Sequence, residues 1–234
     1  MSNINFFRVL QSGGTPTPPP STWEVEDVDT NIVGTNNLPT SILPSAQSAT
    51  LPSFIDASGI KLYAYDNVNS KINHGDFATS WSVNSTVTYQ ESSPSGRFNF
   101  EPQGIGFKPD GTKFYALKQS ITTGGDTFLY QSTLSTAWDI STMSTLSLEI
   151  QESESAKCAA FTLSSDGLTL WVITGTSRVG ANTSTIKSHK YTLSTAWDIS
   201  TAGSSTVSDI TSLWVDESVP LITSLDFYPN AVDG

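Results

Sequence analysis

Residues 133–142 and residues 192–201 both read Thr-Leu-Ser-Thr-Ala-Trp-Asp-Ile-Ser-Thr. A string of ten residues does not recur by chance in a chain of 234 residues. The two tryptophans, Trp138 and Trp197, are 59 residues apart, so the copies belong to a repeating unit of supersecondary size. Strand-rich units of about 40 to 50 residues are typical of β-propeller blades and related arrays.

An Asp-Gly pair precedes each copy of the string. Asp110 and Asp166 each stand before a glycine, between an apolar strand end and a strand that runs to an aromatic residue, Tyr115 or Trp171. Glycine accepts the positive φ that a tight turn requires, so Asp-Gly between apolar runs predicts a hairpin. We expect both aspartates to cap their turns through backbone N–H groups.

A degenerate third copy lies earlier, where Phe54 begins the hairpin pattern and Trp81 takes the place of the tryptophan. The phenylalanines are 53 and 54 residues apart and the tryptophans 57 and 59. We therefore expect Phe54, Phe107 and Phe161 to open equivalent sheets. We expect Trp81, Trp138 and Trp197 to lie between strands three and four of their units and to pack between adjacent sheets. Asp139 and Asp198 recur beside two of these tryptophans, which favours structural turn residues over metal ligands.

These patterns predict an all-β chain of repeated four-stranded antiparallel sheets, β-propeller-like with an incomplete ring, behind an extended N-terminal arm. In the second unit the strands are expected at 104–107, 113–117, 127–134 and 145–150. The predicted organisation is an arm and Pro-rich linker at 1–22, a partial blade and connection at 23–50, blades at 51–100, 101–155 and 156–218, and the start of a further blade at 219–234. Three units do not close a ring, which typically needs at least about four blades, so we expect the chain to continue past residue 234 or neighbouring copies to complete it.

The N-terminal arm joins a short apolar cluster to a linker that contains Gly13, Gly14 and four prolines. Prolines favour extended geometry and do not join a sheet interior. Adjacent aromatics on a free tail are a solubility liability, so we favour a docking arm over a frayed terminus. The anchoring residues are Ile4, Phe6, Phe7, Val9 and Leu10.

Charge and composition bound the partners. The net charge of −11 disfavours nucleic acid and anionic lipid, which select clusters of Lys and Arg. No stretch approaches the roughly 20 apolar residues of a membrane helix, and residues 1–10 lack the features of a signal peptide. The single cysteine, Cys158, excludes an intramolecular disulfide framework and lies in an apolar strand.

No motif points to a cofactor, a metal or catalysis. The two histidines, His74 and His189, show no zinc-ligand spacing, and the chain has neither a Gly-x-Ser-x-Gly elbow nor a glycine-rich phosphate loop. A sialidase site needs three arginines clustered around a carboxylate. The chain has only three in all, and Arg8 lies in the N-terminal arm, so we expect no enzyme. Arg178 and Asn182 are candidate binding residues in the long loop 174–185, which we otherwise interpret as an ordinary surface loop.

The hairpin Phe-Lys-Pro-Asp-Gly-Thr-Lys-Phe-Tyr at 107–115, combined with the string at 133–142, resembles a repeat of predicted β-propellers in structural proteins of marine tailed bacteriophages. The resemblance covers residues 51–218, and the first unit departs from it with Ala-Ser-Gly at its turn and Ser82 at the aspartate position. It implies a tail fibre, spike or capsid appendage on the virion surface. Its implied partners are other virion proteins through the arm, further copies of itself and a host surface receptor.

Two other functions stay open on the sequence. One is a carbohydrate- or protein-binding propeller module of a bacterial surface or secreted protein, which a signal peptide would favour. The other is a propeller enzyme such as a glycosidase, which requires acids and arginines clustered at one channel.

Overall fold

The computed structural model describes residues 52–80, 86–119, 126–152, 158–175 and 185–210, and these residues form an all-β structure of three four-stranded sheets. The first sheet contains β1 (Ser53–Ile55), β2 (Lys61–Asp66), β3 (Lys71–Phe77) and β4 (Val87–Ser92). The second contains β5 (Pro102–Phe107), β6 (Lys113–Gln119), β7 (Thr127–Thr133) and β8 (Ser147–Glu152). The third contains β9 (Cys158–Leu163), β10 (Thr169–Gly175), β11 (Ile186–Thr192) and β12 (Thr206–Asp209).

Each sheet is an antiparallel meander in which neighbouring strands follow one another in the chain. Each falls inside one of the three predicted units, and the predicted strands of the second unit overlap β5 to β8. Short 3₁₀ turns, Ile140–Thr142 and Ile199–Thr201, follow the tryptophans in the connections β7–β8 and β11–β12. The sheets follow one another in a series, with first strands β1, β5 and β9 in contact, which is a propeller-like arrangement.

The period-two alternation of a strand gives the second sheet two buried faces. In β6, Phe114 and Ala116 pack in the cluster that contains Tyr63 of the first sheet. Tyr115 and Leu117, which point the other way, pack in the cluster shared with the third sheet. The middle of β6, residues 114–117, is fully buried on both sides, so these residues form an apolar run rather than an alternating pattern.

The hairpin turns define the structural register of the repeat. In each sheet, the first two strands are joined by a hairpin turn that contains a glycine. This glycine donates its N–H to the carbonyl oxygen three residues earlier, at 2.8 to 2.9 Å. Each of these glycines also has a positive φ near +70°. The glycines are Gly59, Gly111 and Gly167. Their spacings of 52 and 56 residues differ from the 53 and 54 that separate the phenylalanines.

The three phenylalanines each lie in the first strand of a sheet, as expected, but they take different positions within that strand. Phe54 stands five residues before its turn glycine, Phe107 four and Phe161 six. Phe54 pairs with Tyr63 and joins the cluster between the first and second sheets. Phe107 points back into the same cluster from the second sheet, and Phe161 points back into the next cluster. Because the connections differ in length between units, the spacing of the phenylalanines along the chain does not show which face of the strand each one occupies.

Two of the repeated tryptophans, Trp138 and Trp197, each close over the hairpin of their own sheet. The backbone N–H of Trp138 donates to the carbonyl of Gly111 at 2.9 Å, and that of Trp197 donates to Gly167 at 2.8 Å. The indole lies so close that a Cβ built on either glycine would be 2.4 Å from a ring atom. Trp138 also stacks on Phe107, with ring centroids 5.4 Å apart, and faces Phe54 across the gap between sheets. Glycine is therefore required here for its φ and for its missing side chain.

Several predictions fall on residues outside the described ranges. They are the arm with Ile4, Phe6, Phe7, Val9 and Leu10, the segments 23–50 and 219–234, Trp81, and the loop residues Arg178 and Asn182. Within the described ranges, no helix has the length and apolar character needed to cross a membrane.

The first prediction concerns the fit between the turn glycine and the indole. Gly111→Ala is expected to lower the free energy of unfolding by about 2–4 kcal/mol, because it adds left-handed backbone strain and a methyl group that the indole has no room for. Gly96→Ala is the matched control, since Gly96 has φ +74° but no heavy atom within 4 Å of the added Cβ. Urea denaturation of the two variants separates the terms, and equal losses would contradict the close fit.

Candidate functional site at the sheet interfaces

The four aspartates singled out in the sequence all bind within their own turns. Asp110 Oδ1 accepts from the Thr112 backbone N–H at 3.0 Å, and Asp166 Oδ1 accepts from the Leu168 N–H at 2.9 Å. Asp139 and Asp198 cap the 3₁₀ turns, where each Oδ1 accepts from the backbone N–H and the hydroxyl of the serine two residues on. These four aspartates therefore serve first as turn residues.

A tyrosine from one sheet hydrogen-bonds the tryptophan carbonyl of the next. The Tyr63 hydroxyl donates to Trp138 O at 2.6 Å, and the Tyr115 hydroxyl donates to Trp197 O at 2.7 Å. Both phenol side chains are fully buried. Burial raises the pKa of each phenol well above its ordinary value, with smaller contributions from nearby carboxylates. Both therefore stay protonated donors over the whole ordinary pH range.

A second set of contacts joins the second and third sheets around Asp198. The Gln131 side chain donates from Nε2 to Asp198 Oδ1 at 3.0 Å and accepts from the Ile199 N–H at 3.0 Å. The Lys113 ammonium lies 3.1 Å from Asp198 Oδ2. Partial burial acts to raise the pKa of Asp198, but the bonds from Ser200, Gln131 and Lys113 outweigh it and hold the pKa well below its ordinary value. The capping carboxylate of one sheet is thus held ionised by the sheet before it.

In the first sheet, His74 and Lys61 occupy the positions that correspond to Gln131 and Lys113. The His74 ring stacks on Tyr63 with centroids 4.5 Å apart and an angle of 11°. Its Nδ1 lies 2.6 Å from Glu91 Oε1 and its Nε2 lies 3.1 Å from Asp76 Oδ1. Here the polar contacts stay within the first sheet and support the tyrosine that crosses to the second.

A third cluster centres on Glu152 at the end of β8. The Tyr191 hydroxyl donates to Glu152 Oε1, and His189 Nδ1 lies 3.2 Å from Glu152 Oε2. The other ring nitrogen, Nε2, lies 3.0 Å from the Thr174 hydroxyl. These residues belong to facing strands of the second and third sheets, so the cluster adds a polar connection beside the apolar one.

The order hydroxyl, imidazole, carboxylate in this cluster is that of a hydrolase triad. However, Thr174 and His189 are each 1% exposed, and a nucleophile must contact the carbonyl that it attacks. The arrangement therefore binds sheet to sheet and does not reach a substrate in this conformation. Among the described residues, no three or more side chains of His, Cys, Asp and Glu are grouped so as to hold a metal ion.

Sequence reasoning did not single out Tyr63, Tyr115, Gln131 or Glu152 as contact residues. The signal that could have found the two tyrosines is their place four residues after the turn glycine, which both share and which Trp171 takes in the third unit. Gln131 and Glu152 carry no such signal, because their partners lie in the following repeat and a strand pattern reports only burial.

Comparison with known proteins does not identify a family. No model of a known protein family matches this chain. No curated protein matches it either. Among solved structures it is similar to the crystal structure of a functionally unknown protein from Desulfotomaculum acetoxidans DSM 771, at 10% identity and a TM-score of 0.36. The match covers 70% of this chain and 57% of the other.

The second prediction tests the bond between sheets. Tyr115→Phe is expected to lower the free energy of unfolding by about 1–2 kcal/mol, because the partly buried carbonyl of Trp197 loses its donor while the ring still packs. Tyr89→Phe is the control, since its hydroxyl bonds Ser92 of the same strand and the residue is 45% exposed. Urea denaturation measures both, and a loss no larger for Tyr115→Phe than for Tyr89→Phe would refute the role of this bond.

The third prediction concerns the pH dependence of the Lys113–Asp198 pair. The folded pKa of Asp198 lies below the unfolded value of about 3.9, so the stabilisation is complete above about pH 4 and is lost as the pH falls further. Lys113→Met should therefore cost about 1 kcal/mol near neutral pH, and this cost should shrink below about pH 4. Lys118→Met is the control, because its ammonium lies over the rings of Phe100 and Phe128.

The measurement for this pair is urea denaturation of the three proteins at several pH values between neutral and acid. The cost of Lys118→Met should not change across this range. A cost of Lys113→Met that stays constant as the pH falls would show that the ammonium does not act through Asp198.

Proposed function

We propose that this chain is a non-enzymatic structural protein of a tailed-phage virion, an appendage such as a tail fibre, spike or capsid fibre. Residues 1–22 anchor it to the particle, and the β-propeller-like sheets project from the surface for attachment to the host. The proposal combines the resemblance of the repeat with the way in which the described sheets are joined.

The observation that carries the proposal is that repeated units are joined by buried side chains. The second and third sheets are each locked by their own tryptophan, and the consecutive sheets share an apolar cluster and a tyrosine bond. The second and third sheets are joined in addition by the contacts of Gln131 and Lys113 with Asp198. Such nearest-neighbour joints make a stiff array that extends by adding units. The polar side chains that most resemble catalytic groups, such as His189, are used in these joints. A stiff array whose buried polar groups serve the joints supports a structural role.

The anchor is expected to work by burial of apolar side chains in a neighbouring virion subunit. Phe6, Phe7, Val9 and Leu10 lie within five residues, ahead of the Pro-rich linker. Full burial of one such side chain is worth about 1.5–3 kcal/mol, so the cluster is large enough to hold the chain against a groove or sheet edge. The semi-rigid linker keeps the sheets away from that surface.

The outer strands offer a repeated contact surface toward the host. β4, β8 and β12 each leave one large apolar side chain about half exposed, at 45% for Tyr89, 46% for Leu148 and 49% for Val207. Single contacts of this size bind weakly. Several per chain, multiplied by several copies of the chain on one particle, gain strength through effective concentration. A high net negative charge keeps such a surface soluble.

The fourth prediction tests the location. Mass spectrometry of purified particles of the phage that encodes the chain is expected to detect it as a stoichiometric component, and deletion of residues 1–12 is expected to remove it from the particle. Phe6→Ser with Phe7→Ser should have the same effect, whereas Thr15→Ser with Thr17→Ser in the linker should not.

Circular dichroism of each purified variant shows whether the sheets still fold. Absence of the unaltered chain from the particles would refute the proposal. Incorporation of a folded chain that lacks residues 1–12 would refute the anchor. Binding of a soluble glycan by a chain found outside particles would favour the carbohydrate-binding module.

A further inference from the structure

The two described interfaces between sheets follow one register. In each, the strand after the hairpin turn supplies the aromatic residue four positions beyond the turn glycine, Tyr63 or Tyr115. The first strand of the following sheet points a phenylalanine back at this aromatic residue. Phe107 stands four residues before its turn glycine, and Phe161 stands six residues before its own. Phe107 lies 4.3 Å from the Tyr63 ring, and Phe161 lies against Tyr115, with ring centroids 6.3 Å apart.

We call the face of a sheet that is turned toward the following sheet its forward face. In the second sheet, two glycines on this face make room for the incoming ring, whereas the first sheet has Phe54 at the position of Gly106. A Cβ built on Gly106 would meet the Phe161 ring at 3.2 Å, and one built on Gly104 would meet it at 3.7 Å. Both glycines therefore form the floor of a slot in β5 that the phenylalanine of the next sheet fills.

The third sheet keeps the same register, but its forward face carries larger residues where the second sheet has the two glycines. Trp171 stands at the tyrosine position, and Thr162 and Ala160 stand at the positions of Gly106 and Gly104. Ala160 and Ile173 on this face are 4% and 5% exposed, and Ile210 packs against them. The strands described as its neighbours, β5 and β6, contact this sheet on its other side.

We propose that this forward face of the third sheet binds residues 222–228 of the same chain, with Leu225 and Phe227 in the roles of the back-pointing side chains. The segment reads Ile-Thr-Ser-Leu-Asp-Phe-Tyr and continues with Pro-Asn, as Phe107 is followed by Lys-Pro-Asp. Leu225 and Phe227 are two residues apart and so share one face of a strand. If Phe227 aligns with Phe107, this register would set Phe227 opposite Trp171 and Thr162, and Leu225 opposite Ala160.

Charge complementarity supports the same occupant. Residues 211–234 contain four acidic side chains and no Lys, Arg or His. The forward face presents Lys190, whose ammonium lies 5.8 Å from the centre of the Trp171 ring. Lys190 also occupies the position of Gln131, which in the preceding interface reaches an aspartate of the following unit.

The test is hydrogen exchange of the full 234-residue chain, followed by mass spectrometry. Phe227→Asp should speed amide exchange in β9 and β10 by about tenfold or more and leave β1 to β4 unchanged, because only the third sheet loses its cover. Ser224→Asp is the matched control, since residue 224 lies on the opposite face from Leu225 and Phe227. It should leave exchange in all three sheets unchanged.

Other outcomes overturn the proposal. Unchanged exchange in β9 and β10, or equal effects from both aspartate variants, would show that this segment does not cover the face. If Phe227→Asp unfolds the chain, Phe227→Ala removes only the ring and must still act on β9 and β10 alone. Protection of β9 and β10 that is lost on dilution of the unaltered chain would instead assign the face to a second copy.

Discussion

The structure depends on the contact between one indole and one turn glycine. Trp138 and Trp197 have φ of 66° and 63°, a backbone region that costs a bulky residue of the order of 1–2 kcal/mol. Three groups hold each in place: the hairpin carbonyl that accepts its N–H, the glycine surface under its ring, and the tyrosine that donates to its carbonyl from the preceding sheet. The strained residue is therefore the point where the hairpin, the connection between strands three and four, and the neighbouring sheet meet.

This arrangement explains why the ten-residue string includes Asp-Ile-Ser-Thr after the tryptophan. The aspartate caps a 3₁₀ turn that returns the chain to the fourth strand, and the isoleucine is buried in the interface with the preceding sheet. The threonine hydroxyl of the string, Thr142 or Thr201, donates to the aspartate carbonyl at 2.8 or 2.7 Å. Almost every residue of the string is fixed by a bond or by burial, so the two copies have little freedom to differ.

Much of the fold was readable because its determinants are local. The Asp-Gly pairs predicted the hairpins, and the tryptophan string predicted the connection between strands three and four. Phe54, Phe107 and Phe161 each lie in the first strand of a sheet, as their spacing indicated. Their distances from the turn glycine differ, so the spacing does not show which face of the strand each one occupies. Partners of Gln131 and Glu152 were not predictable, because a side chain that crosses to the next sheet looks, in its own strand, like any other half-polar position.

The two kinds of contact also differ in how far they vary along the chain. Within a sheet, the indole meets the glycine so closely that a Cβ on the glycine would clash with it, and the second and third units carry the same pair. Between sheets, the requirement is only to bury area and to satisfy a few polar groups. The second strands of the three sheets accordingly have Tyr63, Tyr115 and Trp171 at the same position. Their partners on the third strands are His74, Gln131 and Lys190. The contact between tryptophan and glycine is thus the same in the second and third units because its geometry is strict. The side chains between sheets need only to be buried and hydrogen-bonded, so they differ from one interface to the next.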